Sequence, residues 1–286
     1  HPRTRKIRLA GLLLPYFIPF GVALATAGVL RLLAGPERGA RVAGLSILFG
    51  FAAAWHWLLL APWVPVDPLS RVIHIAIGGF AIGFIFDLVR PRRSWMIAIV
   101  IIYALGSVWS AISGGLLGPA PDEAGGWLRL VFYLLFWAGL ISRLNTVQAE
   151  GPSGLVICFM LASGLGLIGQ MSGEGAIAAA AYCLAAALAG YLALSWILAL
   201  AVGNAVILGG GGAVLAVAMA LADPVSQASA IALSLLILVP FADGTAKRIP
   251  LGPTALRPAV YPLALMGVAM LPVCLAAVTA FLFAGR

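Results

Sequence analysis

Three acidic residues of this chain, Asp87, Glu150 and Asp243, each lie near basic residues at the edge of an apolar stretch. Carboxylates are preferred ligands of Mg²⁺, whereas Arg, Lys and the amides of glycine-rich loops bind phosphate oxygens. The three acidic residues are therefore the catalytic candidates for a phosphate-bearing ligand held with a divalent cation. The candidate ligand-binding residues around them are Arg90, Arg92, Arg93, Arg143, Asn145, Ser153, Gly210, Lys247 and Arg248.

The composition indicates the kind of element that must position these residues. Hydrophobic residues make up 63% of the 286 residues and charged residues only 9%, far below the roughly 25% charged content of soluble domains. Apolar stretches of about 20 residues, enough to cross ~30 Å of hydrocarbon, recur along the whole chain. The sequence therefore predicts one all-α, polytopic membrane domain over residues 1–286.

We predict about ten membrane-spanning helices, separated by clusters of turn-forming and charged residues. Their expected bounds are 9–30, 43–62, 71–89, 95–117, 128–142, 154–171, 176–200, 205–222, 226–243 and 258–283. Alternate loops carry most of the basic residues, while the other loops carry most of the acidic ones. By the positive-inside rule the basic loops are cytoplasmic, which gives five cytoplasmic loops and two periplasmic termini. A re-entrant hairpin at 9–34 is the alternative, and it places the basic start of the chain inside.

The net charge of +8 does not indicate nucleic acid, because the basic residues are scattered over short loops where they set orientation and meet anionic headgroups. His56 and His74, near the outer ends of adjacent helices, could be haem or copper ligands. Their tryptophan-rich surroundings favour instead the aromatic belt of the membrane interface. Cys158, Cys183 and Cys274 lie in apolar runs and are interpreted as core residues.

Five segments of the chain resemble, in order and spacing, the cytoplasmic motifs of the polyprenyl-phosphate glycosyl-1-phosphate transferases. The segments are ERGARVAGLSILFGF, IGFIFDLVRPRRSW, LNTVQAEGPSGLV, VILGGGGAVLAV and LLILVPFADGTAKR. Members of that family transfer a sugar 1-phosphate from a UDP-sugar to a lipid-carrier phosphate and need Mg²⁺. The resemblance implies a bacterial inner-membrane location, metal ligation by Asp87 and Glu150, and a catalytic role for Asp243.

The chain departs from the family at three positions that should be acidic. Phe86 replaces one member of an aspartate pair, Ser153 replaces a loop aspartate, and Gly210 replaces a metal-binding aspartate. Loss of a direct metal ligand commonly slows such chemistry by about a thousandfold or more. The sequence therefore favours a degenerate member of low or no activity, which binds a lipid phosphate, a nucleotide-sugar or a partner protein in cell-envelope glycan assembly.

Two other functions stay open at this point. The first is a divergent, active Mg²⁺-dependent transferase in which Asp87, Glu150 and Asp243 rebuild a metal site. The second is a small-solute transporter, for which polar residues in interrupted helices near the bilayer midplane are expected. The expected partners are a membrane lipid such as undecaprenyl phosphate, a nucleotide-sugar, and a second copy of the chain or another protein. For the family hypothesis, loops 90–95, 143–153 and 244–257 should converge on one cavity with Asp87 at its wall.

Overall fold

The chain is a bundle of apolar helices. The computed structural model describes residues 2–65, 67–115, 118–119, 124–148, 151–198, 202–223, 230–249 and 257–283, and no strand occurs within these ranges. The helices are α1 (Pro2–Val42), α2 (Leu45–Ala54), α3 (Pro68–Val89), α4 (Arg93–Ser113), α5 (Ala124–Gln148), α6 (Ser153–Met171), α7 (Gly175–Leu198), α8 (Gly211–Leu221), α9 (Ala230–Leu235), α10 (Ala242–Ala246) and α11 (Arg257–Phe283).

Three short turns lengthen the shorter helices. A π-helical turn at Trp55–Leu59 follows α2, and a second one at Val206–Gly210 leads into α8. A 3₁₀ turn at Leu236–Phe241 joins α9 to α10 and contains Pro240. Proline has no N–H for the helical ladder, which is consistent with the change of helix type at this point.

Among the residues that the structure describes, seven helices are long and apolar enough to cross a membrane, which confirms the prediction of a helical multi-pass membrane protein. The other three predicted spans coincide with shorter apolar segments, Leu45–Leu59, Val206–Leu221 and Ala230–Ala246. A helix of 10–17 residues reaches at most about 25 Å, less than the ~30 Å of hydrocarbon in a bilayer. The number of ten spans and the side of the termini stay predictions.

Helix α5 is longer than the sequence predicts. The sequence predicts this helix over 128–142, but it continues to Gln148, so that Arg143 and Asn145 lie on its last turns and not in a loop. Leu144 and Val147 are buried. Packing against the bundle thus extends the helix beyond its apolar run.

Residues 206–221 lie at the centre of the bundle, and glycines allow the close packing there. Gly209 lies against the Phe80 ring of α3, and Gly212 lies against the Tyr103 hydroxyl of α4. A Cβ atom at either glycine would clash with these groups. The glycine run is therefore a helix-packing surface.

Helix α3 approaches this central segment through two glycines one turn apart. A Cβ atom at Gly79 would strike the carbonyl of Leu208, and one at Gly83 would strike the backbone of Asn204 and Ala205. Small residues four positions apart bring membrane helices into backbone contact in this way. The contact places the end of α3 against the start of the central segment.

At one end of the bundle, basic residues lie at or near the C-terminal ends of α3, α5 and α10 and beside that of α7. Arg31 of α1 donates a hydrogen bond of 3.4 Å to the carbonyl of Leu198 in α7, and Arg143 of α5 contacts Asp243 of α10. We call this the basic end because it carries Arg31, Arg90, Arg92, Arg93, Arg143, Lys247 and Arg248.

Candidate functional site

Asp87, near the end of α3, is only 8% exposed. Its Oδ1 accepts hydrogen bonds of 2.8 Å from the backbone N–H and from the side-chain amide of Asn204. Its Oδ2 accepts a hydrogen bond of 2.9 Å from the N–H of Ala205. The first N–H groups of a helix have no partner within that helix. Asp87 therefore caps the central segment from a different helix.

Electrostatics favour this arrangement. A carboxylate near the C-terminus of its own helix is disfavoured by the helix dipole, whereas a carboxylate at the N-terminus of another helix is stabilised. A Cβ atom at Gly203 would clash with the Asp87 carboxylate, so the glycine makes room for it. Tyr191, buried on α7, lies close enough to interact with the Asp87 charge.

The bonding of Asp87 bears on the predicted Mg²⁺ site. Both of its oxygens accept hydrogen bonds from N–H groups. A cation bound to this carboxylate would lie near the same N–H groups. Within the described ranges, no group of three or more His, Cys, Asp or Glu side chains could hold a metal ion. Glu150, the second predicted metal ligand, lies outside the described residues. As it is bonded here, Asp87 caps the central segment, and its role as a Mg²⁺ ligand stays a prediction.

Asp243 is the centre of a second polar cluster at the basic end. It is fully buried, and its Oδ2 lies 3.2 Å from Nη2 of Arg143 and 3.0 Å from Nζ of Lys247. Its Oδ1 accepts a hydrogen bond from the hydroxyl of Tyr261. The cluster joins α5, α10 and α11.

Arg143 is held in place by three contacts. Besides its ion pair with Asp243, its Nε donates a hydrogen bond of 3.1 Å to the carbonyl of Pro240. Its guanidinium carbon lies 5.8 Å from the centre of the Phe241 ring, within the range of a cation–π contact. The side chain remains 29% exposed, so that Arg143 is both held in place and accessible.

An apolar groove runs along α5 and ends at this guanidinium. One wall consists of α5, and the other consists of the 3₁₀ turn before α10. Its apolar lining includes Phe132, Leu135, Phe136 and Ile237, and Arg143 is its charged lining residue. A groove of this composition suits a hydrocarbon chain that carries an anionic group at one end.

The structure brings some of the predicted site residues together and separates others. Arg143, Asp243 and Lys247 share one cluster, as the sequence led us to expect. Asp87 instead bonds to Asn204 and Ala205 at the start of the central segment. The groove that ends at Arg143 does not include Asp87 among its lining residues.

The remaining candidates divide by burial. Arg90, Arg92, Arg93, Asn145 and Arg248 are exposed at the basic end. Ser153 and Gly210, in contrast, are buried. The space beside Gly210 is bounded by Leu188 and Val206, so its surroundings are apolar and its environment is that of a packing residue.

His56 and His74 are both exposed, and Nδ1 of His74 lies 2.8 Å from the carbonyl oxygen of Ser70. Trp57, beside His56, is 63% exposed. Their interpretation as residues of an interfacial belt stays a prediction.

Sequence reasoning missed Asn204, Gly203 and Tyr261. Asn is a preferred residue at helix starts, and Asn204 stands between two apolar runs, so this signal was present. The glycines at 79 and 83 also form a recognisable small-residue pair. Nothing in the sequence near Tyr261 indicates that its hydroxyl reaches Asp243.

No model of a known protein family matches the chain, and no curated protein is similar to it in sequence. The resemblance to the glycosyl-1-phosphate transferases therefore remains a prediction that rests on the five segments given above.

Proposed function

We propose that this protein binds the phosphate headgroup of a membrane lipid at its basic end, without carrying out sugar-phosphate transfer. The observation that supports this proposal is the position of Arg143, fixed by Asp243 and Pro240 at the end of an apolar groove. Guanidinium groups form strong, charge-assisted hydrogen bonds to phosphate. Undecaprenyl phosphate is the lipid that the family resemblance implies.

The buried carboxylates support the non-catalytic part of the proposal. Asp87 is engaged by Asn204 and Ala205, and Asp243 is engaged by Arg143 and Lys247. Both carboxylates thus already have partners within the protein. Release of UMP from a UDP-sugar and undecaprenyl phosphate by the purified protein with Mg²⁺ would contradict this part and support the divergent, active transferase.

Replacement of Arg143 by glutamine should lower the affinity for a lipid phosphate by about tenfold or more, because a charge-assisted hydrogen bond is lost. Binding can be measured by native mass spectrometry of the purified protein with undecaprenyl phosphate. Arg129→Gln is the matched control, since Arg129 is an exposed arginine near the opposite end of α5. Equal affinities of the two variants would overturn the proposal.

We further propose that the basic end faces the cytoplasm of a bacterial cell, in accordance with the positive-inside rule. Arg92→Cys and Lys247→Cys should then react with a membrane-impermeant thiol reagent only after the membrane is opened. Trp63→Cys, exposed near the other end of the bundle, should react in intact cells. Cys158 and Cys183 are buried as predicted, but the prediction of a core position is wrong for Cys274, which is exposed and must first be replaced by serine. Labelling of position 92 or 247 in intact cells would reverse the orientation.

A further inference from the structure

The segment that follows the first π-helical turn carries large apolar side chains on its surface. It comprises residues 60–65, with the sequence LAPWVP, and we call it the proline loop. Leu60 is 80% exposed, and Trp63 and Val64 are exposed as well. Contiguous exposed apolar side chains mark a contact with another protein or with a membrane. The position of the loop in the bundle decides between these two.

The level of the proline loop follows from contacts at the other end of α2. A Cβ atom at Gly44, the residue before α2, would lie 3.4 Å from the Cβ atom of Ala205, and one at Gly83 of α3 would strike the Ala205 backbone. The two glycines therefore lie at about the same level. From there the chain advances by fifteen residues to Leu59, and α3 extends back by fifteen residues to Pro68. Both distances are about 22 Å along a helix axis, so the proline loop begins level with the start of α3.

Helix α3 relates this level to the bilayer. It is 22 residues long, which corresponds to about 33 Å and slightly exceeds the ~30 Å of hydrocarbon. Its last turn lies at the basic end, where Arg90 forms the C-cap. Its first residue, Pro68, therefore lies at the opposite edge of the hydrocarbon. The proline loop lies at the same edge, where hydrocarbon meets the headgroups.

The backbone and composition of the proline loop suit this boundary. The left-handed conformation of Leu60 (φ 47°) ends the helix there. Unbonded N–H groups are costly in contact with hydrocarbon, and Pro62 and Pro65 have no N–H. Tryptophan, represented here by Trp63, is enriched where one end of the ring is apolar and the other meets water. The loop carries no charged residue, whereas protein interfaces have a polar rim, so its composition favours lipid as the partner.

We infer that the proline loop docks into the bilayer leaflet opposite the basic end. Leu60 and Val64 enter the upper part of the acyl chains, and Trp63 lies at the headgroup level. The partner is the lipid surface itself, and the contact is apolar. The inference goes beyond the proposed phosphate binding at Arg143 and does not depend on it, because the two surfaces lie at opposite ends of the bundle.

A bimane fluorophore attached to Val64→Cys tests this docking in phosphatidylcholine vesicles, after Cys274 has been replaced by serine. Two quenchers are compared: a phosphatidylcholine with a nitroxide near its headgroup, and iodide in the water. The ratio of nitroxide quenching to iodide quenching should be severalfold higher at position 64 than at a water-exposed position of the same end. Leu60→Cys provides a second position in the loop and should give the same result, in case Val64→Cys folds poorly.

Gly175→Cys is the water-exposed control. Gly175 is exposed with open space beside it, and it follows Glu174 in the turn between α6 and α7. A bimane there should respond mainly to iodide. Equal ratios at positions 64 and 175 would mean that the proline loop projects into water, and they would overturn the inference. Protection of position 64 from both quenchers would also overturn it, because a protein surface or a second copy of the chain would then cover the loop.

Discussion

Replacement of Asp87 by alanine should lower the free energy of unfolding by about 3–5 kcal/mol, because it leaves buried donors without an acceptor. The affected donors are the backbone N–H groups of Asn204 and Ala205 and the side-chain amide of Asn204. They lie within the bundle, where water cannot easily replace the carboxylate. The start of the central segment should therefore fray and separate from α3.

Asp87→Asn offers a graded version of the same experiment. The asparagine oxygen can still accept from Asn204, but its NH₂ group then faces the N–H of Ala205. We expect roughly half of the alanine effect, since a charge-assisted bond is worth about twice a neutral one. Equilibrium unfolding in mixed micelles measures both variants.

Leu88→Ala is the control for the Asp87 variants. Leu88 is adjacent to Asp87 but 56% exposed, so its truncation should change the stability in micelles only slightly. If Asp87→Ala unfolds at the same point as Leu88→Ala, the hydrogen bonds to Asn204 and Ala205 contribute little, and the capping role is wrong.

The sequence predicts the elements of this fold better than it predicts their contacts. Long apolar runs dictate helices because backbone groups in hydrocarbon must be bonded within their own segment, and each predicted span coincides with a helical segment. The end of the apolar run likewise predicts that Asp87 lies at the end of α3. Its partner could not be found, because Asn204 is 117 positions away and only tertiary packing brings the two together.

The glycine run at 209–212 fits two kinds of segment. Four glycines after an apolar run are typical of a phosphate-binding loop and of the family segment with which we compared them. In the structure they are buried and touch side chains of neighbouring helices, such as Phe80 and Tyr103. Phosphate binding and close helix packing both require the absence of a side chain, so the sequence alone cannot separate them.

The charge cluster at the basic end was predicted in part. Its residues were identified, and Arg143, Lys247 and Asp243 do lie together. The sequence does not predict that Arg143 and Lys247 pair with a fully buried Asp243. It predicts Asp243 at the end of a membrane span, whereas the structure buries it where α5, α10 and α11 meet. In the structure Asp87 caps the central segment, and Asp243 lies in the charge cluster.

Simultaneous replacement of Arg143 and Lys247 by alanine should lower the free energy of unfolding by about 3–5 kcal/mol, because it leaves the buried Asp243 charge without a cation. Lys247→Ala alone should cost less than about 1 kcal/mol, since the side chain is 44% exposed and solvent screens its pairing. Arg143→Ala alone should lie between these values, because Lys247 and Tyr261 remain as partners of the carboxylate.

The addition of Asp243→Asn to the double variant should restore much of the lost stability, because the penalty arises from an uncompensated buried charge and not from lost packing. Asparagine has nearly the same shape as aspartate and still accepts a hydrogen bond from Tyr261. Equilibrium unfolding of the single, double and triple variants forms a cycle that isolates this charge term. A triple variant no more stable than the double variant would mean that the alkyl stems of Arg143 and Lys247 stabilise this end of the bundle by packing. In that case Asp243 would have no measurable part in orienting the guanidinium that we propose as the phosphate ligand.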